Sequence, residues 1–210
     1  MEGELPLDRE QVITEALRLV DESGLDSLSI RTLGNRLGVQ PPSLYWHVGN
    51  KAELLDALAD AIMDEVLAAM RATGTDVAPT SWLLTALTEL RRAMLGHRDG
   101  ARIVAGARSS LRRADFSELA MRTLVGQGND LHRARLLVLA GERFTVGYVL
   151  EEQAPTDTAR NAPDADDLRR RFPLAGRAVS EYFSTGRTAD DLYQDIARLV
   201  LGLPPRAGST

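Results

Sequence analysis

A chain of 210 residues with 44% hydrophobic and 26% charged residues has enough apolar material for a core, which excludes collagen, mucin and linker readings. Zero cysteines exclude disulfides, thiol nucleophiles, iron–sulfur clusters and Cys-based zinc sites, and three histidines (His47, His97 and His132) leave little for a metal cage, so neither a metal nor a cofactor is expected. A net charge of −5 argues against coating nucleic acid through bulk charge, no apolar run approaches a membrane span, and the start MEGELPLDRE is acidic where a signal peptide would be basic and then apolar, so a cytoplasmic protein without a membrane partner is expected.

Asp8 reads as the N-cap of a first helix over about 9–23, with Gln11 at the reciprocal capping position and Val12, Ile13, Ala16, Leu17, Leu19 and Val20 at helical spacing. Ser29 caps a second helix over about 30–37, and Gly38 supplies its left-handed terminus. Pro41 and Pro42 fit only the first turn of a helix, which sets a third over 41–48. Asn50 and Glu53 open a long fourth helix with Leu55, Leu58, Ile62, Val66, Ala69 and Met70 along one stripe. Further helices are predicted at 80–95, 98–105, 111–126, 130–153, 168–184 and 188–202, with 154–167 a mobile loop rich in Pro and Asp. The fold class is therefore all-α: a three-helix helix-turn-helix domain (1–50), a connecting helix (51–72) and a helical bundle (73–210), about nine to ten helices altogether.

Two short helices joined by a Gly-containing turn have the length and punctuation of a helix-turn-helix, whose second helix enters the major groove. Between Ser27 and Ala52 there is no Asp or Glu, while Arg31, Arg36, His47 and Lys51 lie inside that window. The third helix offers Gln40, Ser43, Tyr45, Trp46 and His47 outward and Leu44 and Val48 inward, with Arg31 and Lys51 flanking as phosphate anchors and helix N-termini adding their own attraction. On sequence grounds alone, Tyr45 and Trp46 could instead be core aromatics, His47 a plain surface residue and Arg36 a solvated charge.

The string SIRTLGNRLGVQPPSLYWHVGNKAELLDALA resembles the DNA-binding domain of the tetracycline repressor (TetR) family, with LYWHVGNK its most specific part. LGHRDGAR (95–102) and FTVGYVLEEQ (144–153) resemble body segments of the tetracycline repressor class of that family, so the similarity runs through most of the chain. The resemblance implies a transcriptional regulator, by default a repressor, that binds a palindromic double-stranded DNA operator as a homodimer and is released by a small-molecule effector. It makes Arg31, Pro42, Ser43, Tyr45, Trp46, His47 and Lys51 the DNA-facing set. Pro41 stands where a relative has a base-reading glutamine, with Gln40 beside it, so a different operator is expected.

By the same resemblance the effector positions are Leu67, Ala86, Leu90, Met94, Val104, Ala107, Arg143 and Glu151. Val104 and Leu67 replace histidines and Ala86 an asparagine of the tetracycline repressor, so a magnesium-chelated tetracycline is not the expected effector. A mainly hydrophobic molecule is, with Arg143 and Glu151 as polar groups about two helical turns apart. Arg143 could instead pair with Glu142 or Glu151 and merely close the cavity. The segment 97–101 resembles a hinge relaying the state of the body to the fourth helix; its alternative is a plain helix cap at Asp99. Helices 130–153 and 188–202 would form the dimer face, with Ala140, Gly141 and Gly147 permitting close approach and Leu192, Ile196, Leu199 and Val200 as an apolar stripe that could instead be core.

Two other classes fit the sequence less well. An enzyme is not expected, because Glu151-Glu152, His97-Asp99 and Asp166-Asp167 lack a nucleophile, metal-ligand spacing or phosphate loop beside them. A constitutive helix-turn-helix factor without an effector is disfavoured by the large body beyond residue 74.

Overall fold

The computed structural model describes residues 7–72, 78–155 and 165–206, and every regular element among them is helical. Helix α1 (Arg9–Ser23) starts at a closed capping box: Gln11 N donates to Asp8 Oδ1 at 2.7 Å and Asp8 N donates to Gln11 Oε1 at 3.1 Å. Gly24, at φ 82°, stops it, and a 3-10 turn over Leu25–Ser27 follows. Helix α2 (Ile30–Leu37) has a second box, Ser29 with Thr32, and ends on Gly38 in the left-handed region. Helix α3 (Pro41–Val48) carries both prolines in its first turn, where no intrahelical N–H is required. Helix α4 (Lys51–Ala72) is capped by Asn50, whose Oδ1 accepts from Ala52 N and Glu53 N. The Glu53 carboxylate closes on the Asn50 side-chain amide, a variant of the expected box.

Helices α5 (Pro79–Leu95), α6 (Gly100–Gly106), α7 (Leu111–Gly126) and α8 (Leu131–Glu152) complete a first compact unit that ends at Gln153. Helix α4 is its organiser. It packs on α1 and α3 and also on α5, α6 and α7, with Leu54, Leu58, Ile62, Val66, Leu67 and Met70 buried along it. The DNA-reading helices, α4 and helices α5–α8 thus share one packed unit, and the chain divides by packing at 153/154.

The second unit, from Ala154, holds α9 (Ala165–Arg171), α10 (Pro173–Ser184) and α11 (Ala189–Val200). The single helix expected over 168–184 is two. Pro173 cannot donate an N–H and crowds the preceding turn, so α9 ends and α10 begins on Pro173 at N1. With that break the described residues contain eleven α-helices, one more than expected. Of the loop expected at 154–167, residues 156–164 lie outside the described residues and 165–167 are helical. Among the described residues no helix is long and apolar enough to cross a membrane.

Candidate nucleic-acid interface and effector site

Leu44 and Val48, four residues apart, are buried against the α1 and α2 side of the helix-turn-helix, and this fixes which face of α3 turns outward. Gln40, Pro42 and Ser43 are exposed, Tyr45 is 51% exposed and Trp46 91%, so neither aromatic is a core residue. Arg31 and Lys51 are exposed at either side, and His47 is half-buried. Its carbonyl accepts from Arg9 Nε at 3.2 Å, a tether between α1 and the end of α3 that the sequence pattern did not announce. Gly34 lets α2 meet the turn, since a Cβ there would lie 3.0 Å from the Val39 carbonyl oxygen.

Arg36 is exposed as expected but not unpartnered: its guanidinium binds Glu15 and reaches both oxygens of Glu22 at 2.5 and 2.6 Å, which ties α2 to α1. At the N-termini of α3 and α4 several backbone donors are absent or already engaged. Pro41 and Pro42 have no N–H, Ser43 N donates to Gln40 O, and Ala52 N and Glu53 N are taken by Asn50.

In the body, Leu67 (α4), Ala86, Leu90 and Met94 (α5), and Val104 and Ala107 (α6 and its C-cap) are all buried on helices that pack together. Trp82, on the α5 face one turn before Ala86, is 2% exposed and its Nε1 has no hydrogen-bond partner. Arg143 and Glu151 are not with this set: both are exposed on α8. Of their neighbours in sequence, Glu142 takes the interior and Glu152 stays exposed. Glu142 is buried and accepts from Arg113 of α7 at 2.6 and 2.7 Å, while Arg113 Nη1 donates to the Val104 carbonyl at 3.1 Å. The pairing of Arg143 with Glu142 is thus not made. Arg91 grips Glu152 with two bonds of 2.8 and 2.5 Å.

Gly141 also departs from expectation. It packs inward against Leu87, where a Cβ would fall inside van der Waals contact, so its smallness serves the fold of the single chain. Ala140, Leu136 and Leu150 stay exposed on the other side of α8. On α11, Leu199 is 73% exposed, while Leu192, Ile196 and Val200 are half-buried.

The turn between α5 and α6 reaches across to α1 and the 3-10 turn. Asp99 is not a side-chain cap. Its Oδ2 accepts from Leu25 N at 2.8 Å and its Oδ1 from Arg102 Nη1 at 3.0 Å. Burial pushes the Asp99 carboxyl up, but those hydrogen bonds outweigh it and hold it below the usual carboxylate range. Arg102 also binds Asp26 at 2.8 Å, and Arg98 Nη1 donates to the Glu22 carbonyl at 3.0 Å. Gln153, at the end of α8, locks the same turn, donating to Met94 O and His97 O and accepting from Ala101 N.

An outward-facing second helix on a braced helix-turn-helix, carried by a helix shared with a larger helical body, defines a helix-turn-helix regulator. The family model for bacterial regulatory proteins, tetR family, matches residues 12–58, and that for the tetracyclin repressor-like C-terminal domain matches 80–197. The chain belongs to the TetR family of DNA-binding transcriptional regulators. It is 37% identical over 201 residues to the class A tetracycline repressor protein of Escherichia coli, a match that covers 93% of this chain and 89% of that one. A substituted TetR from Acinetobacter baumannii AYE in complex with minocycline is 33% identical with a TM-score of 0.75, covering 93% of this chain and 92% of that one. BioQ with its natural double-stranded DNA operator is 29% identical with a TM-score of 0.62, covering 73% and 92%.

Proposed function

We propose that this protein is a repressor that binds a palindromic operator as a homodimer and releases it when a mainly hydrophobic small molecule enters the body among α4, α5 and α6. The observation that carries this reading is α4 itself, one helix packed on α1 and α3 of the DNA-reading module and also on α5 and α6, which carry the buried Leu90 and Val104. A molecule that moves α4 from the body side moves the support of α3 with it. The minocycline and operator complexes of similar proteins support the two binding events as a class.

The buried set is apolar, so neither Leu67 nor Val104 offers an oxygen or nitrogen to the metal of a magnesium-chelated drug. A buried indole N–H without an acceptor costs about 1–3 kcal/mol, and an effector with a carbonyl or ether oxygen near Trp82 would recover it. Arg143 and Glu151 share the exposed stripe of α8 with Leu136, Ala140 and Leu150, so in this reading they act at the boundary with a second subunit.

The test is selection of genomic DNA fragments at near-physiological salt, where sequence-specific binding outlasts non-specific binding. The wild type should enrich one palindrome and an Arg31→Ala, Tyr45→Ala double variant should not. Equal recovery by both would refute the assignment of the DNA-facing set. For the effector, Trp46→Phe leaves Trp82 as the sole tryptophan of the two in the chain, so Trp82 emission reports the body alone. A compound that releases the palindrome should shift that emission and, at 100 times its Kd, stabilise the protein by about 2.7 kcal/mol. Trp82→Phe should weaken it roughly tenfold, the equivalent of one hydrogen bond of about 1.4 kcal/mol. Release without an emission change would remove Trp82 from the site. No releasing compound in a metabolite panel would favour a constitutive DNA-binding factor.

A further inference from the structure

His97 stands in the turn between α5 and α6 with its imidazole between carboxylates of two other helices. Nδ1 is 3.1 Å from Asp21 Oδ2 on α1, and Nε2 is 3.0 Å from Glu65 Oε1 on α4. A neutral imidazole has one N–H and one lone pair, so it can donate to only one of these acceptors and must turn its lone pair on the other. The imidazolium donates to both. The His97 side chain is only 15% exposed, which limits the water available to stand in for a missing bond.

The other charges around the ring are already engaged. On its own turn, Arg98 Nη1 donates to the Glu22 carbonyl and Arg98 N to Asp21 Oδ1, while Asp99 is held by Leu25 N and Arg102. On α6, Arg102 is shared between Asp99 and Asp26. On α1, Glu22 is bound by Arg36. Among the described residues, the cation that Asp21 and Glu65 face is the imidazolium of His97. Burial pushes the His97 pKa down, but the bonds with Glu65 and Asp21 outweigh it and raise it above the ordinary 6.5.

We propose that His97 is a protonation-dependent strap, which as the imidazolium fastens α1 of the DNA-reading module to α4 and to the α5–α6 turn, and which loosens on deprotonation so that operator affinity depends on pH in the neutral range. The operator clause rests on the DNA-binding reading above; the strap itself does not. A group whose folded pKa is raised contributes stability that is complete below its unfolded value and is lost as pH rises through the folded value. The strap is therefore fast below about pH 6.5 and fades above it. One pKa unit corresponds to about tenfold in the coupled equilibrium.

The test has three arms on the full chain. Imidazole proton resonances of His47, His97 and His132 are followed with pH, with His97→Gln giving the assignment. One titration with a midpoint above 6.5 should vanish in the variant, and a His97 midpoint at or below 6.5 overturns the strap. Stability of wild type and His97→Gln should diverge at pH 6 and converge by pH 8.5; a constant offset means His97 only fills space and overturns the proposal. Affinity for the selected palindrome between pH 6 and 8 should change several-fold more in the wild type than in the variant. His47 is common to both proteins and cancels in that ratio. Equal pH slopes overturn the regulatory role, whereas success of the first two arms with no DNA recovered sinks the DNA-binding reading and leaves the strap standing.

Discussion

Arg113→Met should destabilise the chain by about 3 kcal/mol, read as a lower urea midpoint with an unchanged slope. The Glu142 side chain is only 7% exposed, and Arg113 supplies both of the bonds that compensate its charge. Removing the cation leaves a buried carboxylate without those two bonds, and an unpaired buried charge is more costly than the pair is worth. Arg113 is itself 30% exposed, which moves the expectation toward the lower end of the range for fully buried pairs. The same guanidinium also satisfies the Val104 carbonyl at the end of α6, so its loss frees the α6 terminus from α7. The double variant with Glu142→Gln should recover much of the loss, because no charge is then stranded. A loss under about 1 kcal/mol, the range of solvent-exposed pairs, would mean that Glu142 is reached by water and that the pair does not hold α6 down.

The helix-turn-helix was legible because short-range chemistry dictates it. Asp8, Ser29, Gly38, Pro41 and Asn50 punctuate the chain where the helices start and stop, and each acts on residues within four positions of itself. The outward face of α3 followed from Leu44 and Val48 alone. Long-range partners carry no such signature. Nothing within reach of Arg36 in sequence indicates Glu15 and Glu22, and nothing near Arg113 indicates Glu142, 29 residues on. The pattern of α8 does not mark its inner face. Its buried line runs through Ala134, Val138, Gly141, Glu142, Thr145 and Val149, but Leu136, Ala140 and Leu150 on the opposite side are just as apolar or small. A helix apolar on both sides has no moment to reveal its inner face. Resemblance pointed to Arg143 where packing chose Glu142, one residue and 100° away. The break at Pro173 was hidden for a related reason, since apolar residues continue on either side of it.

Gly100→Ala should cost about 3 kcal/mol or more, at or beyond the top of the usual range for overpacking, which for a chain of this size is a fall in Tm of roughly 6–12 °C. A Cβ on Gly100 would fall inside van der Waals contact with the Met94 carbonyl oxygen and lie 2.9 Å from its carbonyl carbon. The obstacle is backbone, so no side-chain rotation relieves it. Gly38→Ala is the control for the residue change itself. Gly38 has a left-handed φ of 69° and nothing near its missing Cβ, so alanine there should cost only about 1–2 kcal/mol of backbone strain. The difference between the two isolates the close approach of α6 to the end of α5. That approach also sets the turn carrying His97 and Asp99: Gly100 N donates to His97 O, and Gln153 holds Met94 O and His97 O from α8. Displacing the Met94 carbonyl therefore disturbs the position from which His97 reaches Asp21 and Glu65. Gly100→Ala should flatten the pH dependence of stability as His97→Gln does, and the two changes together should be less than additive, because residues that serve one joint can be lost only once. Full additivity would show that the turn and the strap are independent, and would confine Gly100 to packing alone.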